Sequence, residues 1–172
     1  MQYENEARVF FTAKSENEGF ARLFAAGFLT QLDPTISEMT DVKTAVSEAV
    51  TNAIIHGYEE KGGLVELFCG YIGRKIYIEI ADTGKGIENI ERAREPLYTS
   101  KPEMERSGMG FTIMETFMEK VRIESRIGVG TRIFMENTGK GVIPWSRPMN
   151  GFVWRRQEMP RQRTICYRKI PV

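Results

Sequence analysis

The sequence predicts an α+β fold, a two-layer sandwich with helices on one face of a mixed, mostly antiparallel sheet. Three observations carry this. Two helical segments with an apolar period near 3.6 residues follow a short first strand. Later segments alternate apolar and polar residues and fall into two hairpins joined by glycine turns. The order strand–helix–helix–hairpin–loop–helix–hairpin lacks the repeated strand–helix alternation of a parallel α/β sheet.

Ala7 to Ala13, centred on Val9, Phe10 and Phe11, reads as the first strand. Ser15-Glu16-Asn17-Glu18 is a capping-box pattern that starts a helix, with Phe20, Leu23, Phe24 and Phe28 as its apolar face. Asp33-Pro34 interrupts the chain. A second helix is expected from Thr35 or Ser37 to His56, with an apolar stripe of Val42, Ala45, Val46, Ala49, Val50 and Ala53 and with Gly57 as its stop. Leu64 to Cys69 and Lys75 to Ala81 form an antiparallel hairpin, the second strand alternating through Ile76, Ile78 and Ile80. A short helix is expected over Glu88 to Arg94, and a loop containing Pro96 and Pro102 over Glu95 to Arg106. Phe111 to Lys120 reads as a helix packed through Ile113, Met114 and Phe117. Val121 to Arg126 and Thr131 to Met135 close the sheet through Gly128 and Gly130.

Composition bounds the function classes. The chain has 172 residues, 41% hydrophobic and 27% charged, values ordinary for one globular domain with a tail. Its net charge of +1 provides no bulk attraction for nucleic acid or membrane, and neither is expected as a partner. The total hides an asymmetry: residues after Glu136 carry eight Lys/Arg and one acid, whereas the body before them is net acidic. Two cysteines, Cys69 and Cys166, fit no metal spacing and no disulfide scaffold; Cys69 lies in an apolar strand and is expected to be a buried thiol, which suits a reducing cytoplasm. Met1 to Lys14 has no signal-peptide pattern, and no apolar run approaches a membrane span.

Three short segments carry the chemistry. Glu48, Asn52 and His56 recur every four residues on a face turned away from the valines of the same helix. That row can line a ligand cleft, and by itself it equally describes a solvated polar face. Asp82-Thr83-Gly84-Lys85-Gly86-Ile87 places a carboxylate at a strand end before two glycines. The carboxylate can accept a hydrogen bond from an exocyclic amine, and the glycines permit close backbone approach; an Asx turn is the simpler account of the segment in isolation. Ser107-Gly108-Met109-Gly110-Phe111 sets a glycine pair before a helix, where N–H groups and the helix dipole favour phosphate, with Lys101 and Arg106 upstream. No Gly-x-x-x-x-Gly-Lys-Ser/Thr loop is present, which argues against a P-loop site.

Taken together, Glu48-x-x-x-Asn52-Ala53-x-x-His56, Asp82-x-Gly84-x-Gly86 and Gly108-x-Gly110 resemble the N, G1 and G2 boxes of the GHKL (Bergerat) ATP-binding fold, shared by gyrase, histidine kinases and mismatch-repair ATPases. The resemblance narrows further. Ser47 to Glu60, Gln31-Leu32-Asp33-Pro34-Thr35 and the stretch Thr99-Ser100-Lys101-Pro102 through Glu115 are similar to the sporulation anti-sigma F factors of endospore-forming bacteria, over roughly Asn5 to Met135.

That resemblance implies an anti-sigma factor that binds a sporulation sigma factor of the sigma F type and, as a protein-serine kinase using ATP and Mg²⁺, phosphorylates its anti-anti-sigma antagonist. It also implies a homodimer. By the same resemblance Glu48 is the general base and Asn52 a nucleotide and Mg²⁺ ligand. Asp82 receives the adenine amine, and Gly84, Gly86, Gly108 and Gly110 shape the pocket. Thr99, Lys101, Arg106 and Ser107 belong to a lid, with Arg106 a catalytic cation at the γ-phosphate. Thr131 lies near the nucleotide, and Arg22 matches a position used to contact partners. His56 is expected to support the site rather than accept phosphate. The alternative is a nucleotide-dependent sigma-binding protein without kinase activity. Retention of Glu48 favours the enzyme, since binding alone needs no base.

Residues 1–136 are thus read as the ATP-binding domain. From Asn137 to Val172 the chain departs from the family. This tail holds both tryptophans and four of the seven prolines, shows no periodicity, and is expected to be a disordered or non-conforming extension rather than a nucleic-acid arm.

Overall fold

In the computed structural model, residues 2–59, 61–95 and 108–139 are described, together with the backbone of 152–157 and 166–171. The chain divides into two units, Met1–Gly141 and Val142–Val172.

The first unit opens with β1 (Asn5–Thr12) and α1 (Glu16–Leu29), followed by one 3-10 turn (Thr30–Leu32). Then come α2 (Ile36–Asn52) and, directly after it, a π-helical turn (Ala53–Gly57). The hairpin of β2 (Leu64–Ile72) and β3 (Lys75–Asp82) precedes a short α3 (Ile90–Ala93). α4 (Gly110–Phe117), β4 (Lys120–Arg126) and β5 (Gly130–Thr138) complete the unit. The strands lie in the order β1-β2-β3-β5-β4. Every described pairing is antiparallel, so the sheet contains none of the parallel pairs that a mixed sheet would have.

Alternation decides which sheet residues meet the helices. Val65, Leu67 and Cys69 of β2, Ile76, Ile78 and Ile80 of β3, and Ile133 and Met135 of β5 are buried in one core cluster. Asp82 is the next member of the β3 row, paired with Val65 on one side and Thr131 on the other. The inward row therefore ends in a carboxylate. The opposite face mixes the ion pairs Arg8–Glu66, Arg132–Glu79 and Lys75–Glu136 with aromatic rings, Tyr3 packing on Phe68 and Tyr77.

α2 is the central helix, packed on α1 and on α4. Its stripe of Val42, Ala45, Val46, Ala49 and Val50 is buried as the period requires. Thr35 caps it with a complete capping box: Glu38 N donates to Thr35 Oγ1 and Thr35 N donates to Glu38 Oε2. The box expected at Ser15 does not form, because Ser15 has helical backbone angles and makes no side-chain cap bond. Glu18 instead accepts a 2.5 Å hydrogen bond from Ser47 Oγ on α2. The α1 face agrees with expectation in part: Phe28 is buried and Phe24 packs against the core, but Ala21, Ala25 and Leu29 are buried as well, whereas Phe20 and Leu23 are exposed by 46% and 68%. Small alanines let α1 approach α2 closely and leave those larger side chains outside.

In the second unit, β6 (Phe152–Gln157) and β7 (Cys166–Pro171) pair antiparallel, with Phe152 opposite Pro171 and Gln157 opposite Cys166. The sequence offers no period that anticipates these strands.

Candidate functional site

The end of α2 is where the expected helix changes form. The α-helix stops at Asn52, and the next turn is closed by an i→i+5 bond, Tyr58 N to Ala53 O at 3.0 Å. The expected α-helical row of Glu48, Asn52 and His56 thus continues into a wider π turn, a geometry frequent at functional sites. Gly57, expected only to stop the helix, lies against the β3 end: a Cβ on Gly57 would sit 2.9 Å from Asp82 Oδ1.

The loop after β3 is held against this turn by its backbone. Gly57 O accepts a 2.9 Å bond from Lys85 N, and a Cβ on Gly84 would fall 2.2 Å from the same oxygen. Only a residue without Cβ lets the two segments approach so closely. Gly86 has φ +76°, and a Cβ there would lie 2.2 Å from Arg126 O. On its far side the loop is tied to the β4–β5 turn by Gly128 N to Lys85 O at 2.8 Å and by Ile87 N to Ser125 Oγ at 2.8 Å. Ser125 Oγ also bonds Thr131 Oγ1 at 2.9 Å, so buried Thr131 has a polar partner.

Burial raises the Asp82 carboxyl above the usual range for aspartate, and hydrogen bonds from the backbone of Gly84 and Thr131 pull it partly back. The Gly84 bond is 2.9 Å to Oδ1. Oδ1 is therefore engaged while the carboxylate stays at the cavity wall.

Gly110, at the first turn of α4, gauges the other half of the site. A Cβ at Gly110 would lie 3.2 Å from each terminal atom of the Asn52 amide and 3.2 Å from Glu48 Oε2. A carboxylate and an amide from α2 thus converge on one bare Cα beside a helix N-terminus, where N–H groups favour anions.

These pieces surround a cavity of about 630 Å³, within the range of small-molecule and cofactor sites. Asn52, His56, Asp82, Gly86, Gly108, Gly110 and Thr131 all line it. Gly84 stands behind the wall, against Gly57, and Glu48 lies at the Gly110 side. Arg22 is elsewhere, on α1, paired with Glu18 at 3.7 Å. Thr99, Lys101, Arg106 and Ser107 lie outside the described residues.

The cavity also includes residues that sequence reasoning did not select: Gly57, Lys85, Asn89, Arg92 and Ile127. Lys85 had a signal, since it sits between the two glycines of the loop. Asn89 and Arg92 had none, because they face the cavity only once α3 is placed; Asn89 Oδ1 caps that short helix by accepting from Arg92 N at 2.9 Å.

Comparison with known proteins agrees with this geometry. Residues 11–136 match the family model of the histidine kinase-like ATPase domain. An anti-sigma F factor of Clostridium kluyveri is 58% identical over 134 residues, covering 78% of this chain and 94% of that protein. One from Clostridium acetobutylicum is 59% identical over 133 residues, covering 77% and 93%. Among solved structures, the RsbU and RsbW domains of Rv1364c from Mycobacterium tuberculosis share the fold, with a TM-score of 0.55 at 18% identity over 81% of this chain and 34% of that one. With three sequence boxes assembled around one cavity and relatives this similar across the whole domain, the chain belongs to the anti-sigma F factor family, built on a histidine kinase-like ATPase domain.

Proposed function

We propose that this chain is an anti-sigma factor of the cytoplasm that holds a sporulation sigma factor of the sigma F type and phosphorylates a serine of its anti-anti-sigma antagonist with Mg-ATP. The observation that carries the reading is the convergence of Glu48 and Asn52 on Gly110 at the start of α4. Binding a nucleotide needs a pocket. A carboxylate set beside the place where phosphates meet a helix N-terminus provides a base as well.

In this reading the adenine amine donates to Asp82 and the phosphates run toward Gly108, Gly110 and the N–H groups of α4. The serine Oγ attacks the γ-phosphorus, the bond from that phosphorus to the β–γ bridging oxygen breaks, and ADP leaves. Glu48 takes the serine proton as the new O–P bond forms. The Asn52 amide offers one hard oxygen, suited to Mg²⁺, which binds through few protein ligands together with phosphate oxygens. Bound there, Mg²⁺ would offset phosphate charge. Thr99, Lys101, Arg106 and Ser107 are proposed as lid residues, Arg106 stabilising charge on the transferred group. Thr131 supports the adenine side, Arg22 contributes to the surface that contacts protein partners, and the chain acts as a homodimer. The ATP-binding domain is taken as residues 1–136, with 137–172 as an appended basic tail.

The test is transfer of labelled γ-phosphate from Mg-ATP to a purified anti-anti-sigma protein of the sigma F type, with its acceptor serine replaced by alanine as control. Serine-dependent labelling is expected. ATP binding without any labelling would leave a nucleotide-dependent sigma-binding protein instead.

Asp82 gives a separate prediction. Asp82→Asn is expected to weaken ATP binding by at least ~10-fold, since the amide can turn its NH₂ toward the adenine amine and lose the acceptor, a difference of about one hydrogen bond to a charged group. Stability is expected to move the other way. A carboxyl whose folded pKa is raised stabilises the fold at pH below its unfolded value, and that contribution is lost as pH rises through the folded value. At pH 7 the buried charge is a cost that Asn removes, so Tm should hold or rise. Calorimetry and nucleotide titration on the same variant check both signs; a falling Tm would show that the charge stabilises the fold.

A further inference from the structure

Tyr58 follows the π turn and has no role in the chemistry above. Its ring packs over Gly63, where a Cβ would meet the ring at 2.1 Å, and borders the core cluster. Its hydroxyl makes three contacts: Leu64 O at 2.6 Å, Thr83 N at 2.8 Å and Thr83 Oγ1 at 3.0 Å. The proton inventory assigns each of them. A carbonyl oxygen only accepts, so the single Tyr58 proton goes to Leu64 O. Thr83 N–H only donates, so it fills one lone pair of the Tyr58 oxygen. Thr83 Oγ1 must then donate to the other, and the phenol is saturated. Those bonds fasten Thr83, between Asp82 and Gly84, and Gly84 N in turn holds Asp82 Oδ1. A neighbour adds to the clamp: Glu59, at φ +53°, pairs with Lys85 at 2.9 Å.

We propose that Tyr58 is a positioning residue for base selection: its hydroxyl fixes Thr83 and the Asp82–Thr83 peptide so that the Asp82 carboxylate faces the ligand at one angle, and adenine is thereby preferred over guanine. The inference rests on the reading of the cavity as a nucleotide site. Guanine presents a carbonyl where adenine presents an amine, and a rigid carboxylate acceptor rejects it. A loosened loop lets the carboxylate turn aside or admit water, and the rejection weakens.

Tyr58→Phe keeps the ring and removes only the hydroxyl. Titration of ATP and GTP into the full chain, with transfer kinetics and melting in parallel, tests the idea. The variant is expected to bind ATP ~5–10-fold more weakly, the equivalent of one to two modest hydrogen bonds. Its ATP-over-GTP preference is expected to fall by a similar factor while kcat at saturating ATP stays within about twofold of wild type, because the base and the α4 side are untouched. Thr83→Val, which removes one of the two bonds to Thr83, should shift the preference in the same direction by less, and it serves as the test if Tyr58→Phe does not fold. Unchanged selectivity in a folded variant, with only Tm reduced, overturns the proposal and leaves Tyr58 a structural tie. A wild-type chain that binds ATP and GTP equally also overturns the proposal, whereas one that binds neither overturns the reading of the cavity as a nucleotide site.

Discussion

Glu48→Gln is expected to abolish phosphoryl transfer while leaving ATP bound. Glutamine keeps the length and planarity of glutamate, so packing against Gly110 is retained, where Glu48 Oε2 would stand 3.2 Å from a Cβ. What it loses is basicity: an amide cannot take the serine proton. A positioned general base contributes about 10²–10⁴ in rate, so kcat should fall by that order. ATP affinity should stay close to wild type, because the adenine contact lies on the other side of the cavity at Asp82. Single-turnover transfer paired with nucleotide titration separates the two quantities. If the Glu48→Gln variant transfers phosphate at near wild-type speed, the proton leaves by another route and Glu48 is not the base. If ATP binding is lost instead, Glu48 holds the nucleotide rather than the acceptor.

Gly86→Ala is expected to have the largest effect on the loop itself, through two additive costs. A side chain at φ +76° carries roughly 1–2 kcal/mol of local strain. The added Cβ also falls 2.2 Å from Arg126 O, and overpacking against rigid backbone costs about 1–3 kcal/mol more. Backbone on both sides is fixed, by Lys85 N to Gly57 O and by Gly128 N to Lys85 O, so the loop cannot yield without breaking one of those bonds. Tm should drop by on the order of 10 °C, at ~2–4 °C per kcal/mol for a chain of this size, and nucleotide affinity should fall by at least tenfold. Gly19→Ala is the matched control. Gly19 lies within α1 with nothing within 4 Å of its Cβ position, so alanine there should be neutral or stabilising. Equal melting of the two variants would mean that the loop is softer than its contacts imply.

The elements most legible in the sequence are those whose period reports local geometry. The α2 stripe and the Ile76–Ile78–Ile80 alternation match the structure because burial on one face of a helix or strand repeats at a spacing the backbone dictates. Buried Cys69 follows from the same alternation. The α1 face matches only in part: Phe28 is buried and Phe24 packs against the core, but Phe20 and Leu23 stay outside, since large side chains outweigh alanines in the pattern while the packing of two helices selects the small residues. The Ser15 box fails for a related reason: Glu18 has a partner on another helix, which no local motif announces.

The candidate site divides along the same line. The family, the order of its three boxes and the loop in which glycine is required are legible in the residues alone, because those properties reside in residue identity and short spacing. Long-range packing brings Glu48 and Asn52 to Gly110, sets Asp82 at the end of the buried row of β3, and lets the Tyr58 hydroxyl tie the helix end to Thr83. Each of these joins residues far apart in the chain or across a turn whose π geometry no local period encodes, and the free energy that places them comes from the packing of the whole core.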